Sequence, residues 1–136
     1  MARRTTTGTS TTKTRSKVFV DTGGWYAVSV ARDRRHKLAI QHYASLLDDD
    51  TLLVTSDYVL DETITRLRYD SGHETSIDFL DQIEQAAERG FLRILQVDER
   101  IWSEACDLYR KYQDQEFSFT DCTSFILARE AASTKS

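Results

Sequence analysis

Three carboxylates carry the chemistry that this sequence offers: Asp21, Glu62 and Asp121. Asp21 closes the short apolar stretch Lys17–Thr22, with Gly23 and Gly24 directly behind it. Glu62 falls in the second turn of a helical pattern that follows a second apolar run, and Asp121 in the first turn of the last one. In an open α/β sheet, side chains at the carboxyl ends of strands, or on the first turns leaving them, face the crevice where ligands bind. Three carboxylates gathered on one crevice repel each other unless hard cations hold them, so the pattern calls for Mg²⁺ or Mn²⁺ with oxygen ligands. Such a site suits phosphodiester hydrolysis, because the metal ions position and deprotonate water and stabilise charge on the attacking and leaving oxygens.

Each acid also has a plainer reading. Asp21 can open an Asp-Thr-Gly-Gly turn, Glu62 can pair with Arg66 four residues on along a helix surface, and Asp121 can complement the positive end of a helix. Asp121 stands out because Phe117, Phe119, Cys122 and Phe125 surround it and no base lies between Lys111 and Arg129. A charge in apolar company needs a partner, and the local side chains supply none. The run Asp48-Asp49-Asp50 reads as a solvated helix-to-strand loop rather than a metal site, and His36, His42 and His73 read as surface residues at no ligand spacing.

The elements that must position these acids follow from periodicity. Lys17–Thr22 reads as a buried strand with a turn behind it, and Leu52–Thr55 and Leu92–Val97 read as two more strands. A short helix is expected over Trp25 to Val30, then a basic loop from Arg32 to Lys37. Ala39, Ile40, Tyr43, Leu46 and Leu47 follow the spacing of a second helix; Val59, Leu60, Ile64 and Leu67 mark the buried stripe of a third, and Ile77, Leu80, Ile83 and Ala87 lie on a fourth. Ser56 and Asp98 are placed to cap helices at their amino ends, and Gly90 to end one. Ile101, Trp102, Ala105, Leu108, Tyr109 and Tyr112 are expected to face inward from a fifth helix, and Phe125, Ile126 and Leu127 lie on a sixth. Strands alternating with helices predict a three-layer α/β/α fold with a central parallel sheet.

Composition sets the frame. At 136 residues with 40% hydrophobic content, the chain is expected to form one domain with a single core. Residues 1–16, rich in Thr, Ser and Arg, are expected to be a disordered tail, and 17–136 the domain. Cys106 and Cys122 form no C-x-x-C pair and read as reduced core thiols. No apolar run reaches the roughly 18 residues of a membrane span, and no signal-peptide core is present, so a soluble cytoplasmic protein without membrane contact is expected. The net charge of −4 is unevenly spread: residues 18–136 hold 13 bases against 22 acids. A polyanionic substrate would therefore need a local basic patch or bound metal ions to reverse the field.

Val18-Phe-Val-Asp21-Thr22, Val54-Thr-Ser-Asp-Tyr-Val-Leu-Asp-Glu62 and Phe117-Ser-Phe-Thr-Asp121-Cys-Thr-Ser-Phe125 resemble, in order and spacing, the first three acidic motifs of the PIN-domain nucleases, in particular their VapC-like toxin branch. The resemblance implies a Mg²⁺- or Mn²⁺-dependent endoribonuclease acting on RNA as the toxin of a type II toxin–antitoxin pair, a homodimer, and a cognate antitoxin covering the site. It implies Asp21, Glu62 and Asp121 as metal ligands, with Thr22 and Ser124 supporting them. Two departures are visible. Gly23 stands where the family commonly has Asn, and the further strands the family carries after the last helix, one with another acid, are missing by Ser136. The expectation is a weakened metal site and a first strand left at an open edge that self-association or a partner adapts. The alternative is a degenerate PIN-like module that keeps the fold and binds protein or RNA without turnover. Asp21-Thr22-Gly23 also matches the aspartic-protease tripeptide, but that chemistry needs paired aspartates in an all-β fold; a phosphotransfer receiver or a haloacid-dehalogenase-type phosphatase lacks its other acidic residues here.

Overall fold

The computed structural model describes residues 15–133, and the larger part of the expected tail, 1–14, lies outside the described residues. Arg15 and Ser16 belong to the fold. The Ser16 carbonyl accepts from Leu52 N at 2.8 Å, and the Arg15 guanidinium donates to the carbonyls of Asp50 and Gly90 and pairs with the Asp50 carboxylate at 3.2 Å. The Asp48–Asp50 run thus ends a helix, with Asp50 in the left-handed region at φ 57°.

Three strands, β1 (Lys17–Phe19), β2 (Leu52–Ser56) and β3 (Leu92–Leu95), form one parallel sheet in the order β1-β2-β3. Its register pairs Val18 with Leu53 and Leu53 with Leu92. Parallel pairing requires a crossover between successive strands, and helices supply it: α1 (Thr22–Ser29) and α2 (His36–Asp48) after β1, then α3 (Asp57–Ser71) and α4 (His73–Glu88) after β2. The hairpin of α5 (Glu99–Lys111) and α6 (Phe119–Ser133) follows β3. Successive residues of a strand point to opposite faces, and β2 is buried on both. Leu53 joins Trp25, Tyr26, Val59, Leu67 and Phe79 on the α1–α4 side. The opposite core holds Ile101, Ala105, Cys122, Ile126 and Leu127 from α5 and α6, with Phe19 and Leu95 packed against it. The result is the three-layer α/β/α fold.

The local signals that depend on neighbouring residues agree with the structure. Ser56 Oγ accepts from Val59 N at 3.1 Å and Asp98 Oδ1 from Ile101 N at 2.9 Å, each satisfying an amide that the helix cannot. Gly90 follows α4 at φ 81°. Both cysteines are free.

Four expectations change. The first strand is shorter than Lys17–Thr22 and only half-buried, because β1 pairs with β2 alone among the described residues and so lies at the edge. Thr22, Gly23 and Gly24 form no turn; they open α1, whose cap is Asp21. On α4 the buried side chains are Phe79 and Ile83 rather than Ile77, since Phe79 meets Trp25 edge-on at 5.8 Å. On α5, Trp102, Tyr109 and Tyr112 are exposed, as is Phe125 on α6. These rings pack on one another at the surface, Trp102 against Phe119 at 4.7 Å and Phe117 against Phe125 at 4.9 Å.

One buried polar side chain joins the layers near the carboxyl edge. Thr55 Oγ1, fully buried, donates to the Val20 carbonyl at 3.0 Å and accepts from Trp25 Nε1 at 3.0 Å. Thr55→Val keeps the shape and strands both partners, so stability to urea is expected to fall by about 1–3 kcal/mol.

Candidate metal-dependent nuclease site

Asp21 is presented by the end of β1 and the start of α1. Its Oδ1 accepts from Gly24 N at 2.9 Å, the ordinary bond of a helix cap. Gly24 permits this closeness: a Cβ there would stand 3.1 Å from Val20 Cγ1 and 3.4 Å from Asp21 Oδ1. Thr22, buried in the first turn of α1, donates from Oγ1 to Glu62 Oε1 on α3 at 3.2 Å. The first two acidic stretches are therefore tied together across the ends of β1 and β2. Arg66, the expected partner of Glu62, stands over the Tyr26 ring at 4.2 Å. The Tyr26 hydroxyl donates to Asp70 at 2.6 Å, which with burial pushes the phenol above its ordinary pKa.

The ends of β2 and β3 are also joined. Asp57 Oδ1 accepts from Val97 N at 3.0 Å and from Tyr58 N at 2.9 Å. This acid of the second motif thus has a structural task that sequence reading did not separate from its neighbours.

Asp121 lies half-buried in the first turn of α6. The partner that its sequence neighbourhood seemed to lack comes from the backbone. Ser118 N donates to Asp121 Oδ2 at 3.0 Å, and Asp121 N donates to Ser118 Oγ at 3.0 Å. This reciprocal cap has a sequence signature, a hydroxyl residue followed three positions later by an acid; the partner comes from the backbone and not from a cationic side chain. The next residue, Cys122, packs in the cluster that also takes in Phe19, two residues before Asp21. That contact brings α6 to the end of β1.

Each of the three carboxylates is thus turned to a local donor. Among the described residues, no three His, Cys, Asp or Glu side chains stand together as a metal cage. Like charges at one crevice favour such separation. The donor types nevertheless fit a hard divalent cation, being all oxygen. Ser124, one turn beyond Asp121, has a buried Oγ with no hydrogen-bond partner. A buried hydroxyl of this kind needs a partner, which a bound ion or its water would provide.

The fold and the three acidic stretches define a class: the chain belongs to the PIN-domain family, whose model matches residues 18–135. Among curated proteins it is 32% identical over 115 residues to the 23S rRNA-specific endonuclease VapC20 of Mycobacterium tuberculosis, a match covering 83% of this chain and 81% of the relative. The solved structure of M. tuberculosis VapC20, described as a Sarcin-Ricin loop cleaving toxin, superposes with a TM-score of 0.72 at 30% identity, covering 85% of this chain and 83% of that one. Among the described residues, no helix is long and apolar enough to cross a membrane.

The environment of Cys122 makes a prediction that needs no substrate. Burial, and then the Asp121 charge, raise its thiol above the ordinary range, and its side chain has no solvent contact, whereas at pH 8.5 Cys106 is partly accessible to a reagent. Alkylation at that pH followed by mass spectrometry is expected to label Cys106 first and Cys122 only after denaturant is added.

Proposed function

We propose that this protein is a Mg²⁺- or Mn²⁺-dependent endoribonuclease, the toxin of a toxin–antitoxin pair, cutting RNA at the crevice formed by Asp21, Glu62 and Asp121. The observation that carries the reading is the Thr22–Glu62 hydrogen bond beside the Asp21 cap, which joins two of the three acidic stretches at one edge of the sheet. The similarity to a 23S rRNA-specific endonuclease supports RNA as substrate and ribosomal RNA as its class. The toxin reading brings with it a homodimer and a cognate antitoxin that covers the site.

In this reading Asp21, Glu62 and Asp121 would hold the metal, and Thr22 and Ser124 would support them. When bound, the cation supplies Lewis acidity toward a phosphoryl oxygen and lowers the pKa of water. The chain's own contribution is placement. The Gly24 amide fixes Asp21 by one oxygen and leaves the other outside that bond. Thr22 fixes Glu62, and the Ser118 cap sets the rotamer of Asp121. The apolar cluster of Phe19 and Cys122 stiffens the floor under the first and third acids.

Cleavage of a fluorescent RNA in Mn²⁺ tests this. Asp21→Asn is expected to abolish cutting, as is a chelator. Thr22→Val, which frees Glu62 without removing a carboxylate, is expected to lower the rate about 10–100-fold, the usual effect of losing a group that orients a metal ligand. Cleavage that Asp21→Asn leaves unchanged would instead favour a PIN-like module that binds without turnover.

A further inference from the structure

The body of the chain is acidic, yet four bases crowd into the six residues 32–37, between α1 and the first turn of α2: Arg32, Arg34, Arg35 and Lys37. The structure fixes this loop firmly. Arg32 donates to the Asp70 carbonyl at 2.9 Å, the His36 ring to the Ala27 carbonyl at 2.8 Å, and Asp33 N to the Val30 carbonyl at 3.0 Å. Asp33 then folds back on Arg35, accepting at Oδ1 from its backbone N at 2.8 Å and from its Nε at 3.3 Å. The Arg35 amide, and then its side chain, hold the Asp33 carboxyl below its usual pKa, so the grip persists through neutral pH.

This grip aims the guanidinium at the site. The point where a Cβ on Gly23 would stand lies 3.7 Å from Asp21 Oδ1 and 3.8 Å from Arg35 Nη1. The missing side chain at Gly23 leaves a notch bordered by the Asp21 carboxylate and the Arg35 guanidinium. The Arg35 side chain remains 57% exposed, and its bond to Asp33 engages Nε rather than a terminal nitrogen. A planar, permanently charged fork held this way suits a phosphate.

Building on the nuclease reading above, we infer that Arg35 is a substrate-binding residue that grips a backbone phosphate of the RNA laid over the Gly23 notch beside Asp21. It supplies the local positive field that the acidic body lacks, and Asp33 positions it. The contact is to the sugar-phosphate backbone and so sets register without reading bases.

Steady-state cleavage of a fluorescent stem-loop RNA in Mn²⁺, at several salt concentrations, tests the inference with wild-type, Arg35→Gln and Arg35→Lys proteins whose melting is checked in parallel. Arg35→Gln is expected to raise KM about tenfold with kcat little changed. Its plot of log kcat/KM against log salt should be shallower by about 0.7, the loss of one phosphate contact on a single strand. Arg35→Lys should restore the slope and only part of the KM, since the charge returns without the fork. An Arg35→Gln protein with unchanged KM and salt slope would overturn the assignment while leaving the nuclease reading intact, as would one whose loss lies wholly in melting temperature. A wild-type protein that cuts no RNA would overturn both.

Discussion

A single hydroxyl fixes the geometry on which the site depends. Thr55 lies on the central strand with no solvent contact, and its Oγ1 bonds at once to the carbonyl just before Asp21 and to the indole of Trp25 on the helix that Asp21 caps. An edge strand of three residues has little to hold its last carbonyl in place. Bonds from β2 do it instead: the Val20 amide donates to the Val54 carbonyl at 2.8 Å and the Val20 carbonyl accepts from Thr55. Trp25 in turn packs edge-on to Phe79 and Tyr43, so α4 and α2 bear on the same point. Breaking a buried polar node of this kind strands several partners together, which is why placement of Asp21 is a property of the whole α1–α4 layer.

Electrostatics shape the other side of the crevice. Bringing acids together is unfavourable unless positive charge compensates, and the chain distributes that compensation unevenly. Some bases meet acids at the surface, as where Arg100 donates to Glu130 at 2.6 and 2.8 Å and to Glu104 at 2.6 Å; such exposed pairs add little stability. Arg35 is different, since Asp33 holds it and its guanidinium stands beside Gly23, next to Asp21. Fixed positive charge beside Asp21 is what a polyanion would need in order to approach an otherwise acidic surface.

Much of this was legible in the sequence because it is local. Ser56, Asp98 and Gly90 act within one helical turn of their partners, so their type and position are enough to find them. The three strand cores are apolar runs with no competing helical period, and their alternation with helices defines the fold class. Burial was less legible. Trp102, Tyr109 and Tyr112 follow a helical stripe but sit on its flank, where rings satisfy one another at the surface; periodicity reports an apolar face without reporting how wide the covering layer is. Gly23 and Gly24 resemble a turn in isolation, and only the cap from Asp21 makes them helical. The contacts Thr55–Trp25, Asp57–Val97 and Thr22–Glu62 span thirty or forty positions, and Arg35 beside Gly23 depends on the path of a whole loop. No sequence pattern announces such meetings.

Convergence of the three carboxylates on a cation is the claim beneath the rest, and titration calorimetry with Mn²⁺ on the wild-type protein and Asp121→Asn tests it most directly. Asparagine can still accept from the Ser118 amide through its side-chain oxygen, so the α6 cap survives while the third negative charge is lost. The account predicts binding by the wild-type protein and its loss in the variant. Equal binding by both proteins, or none by either, would contradict it.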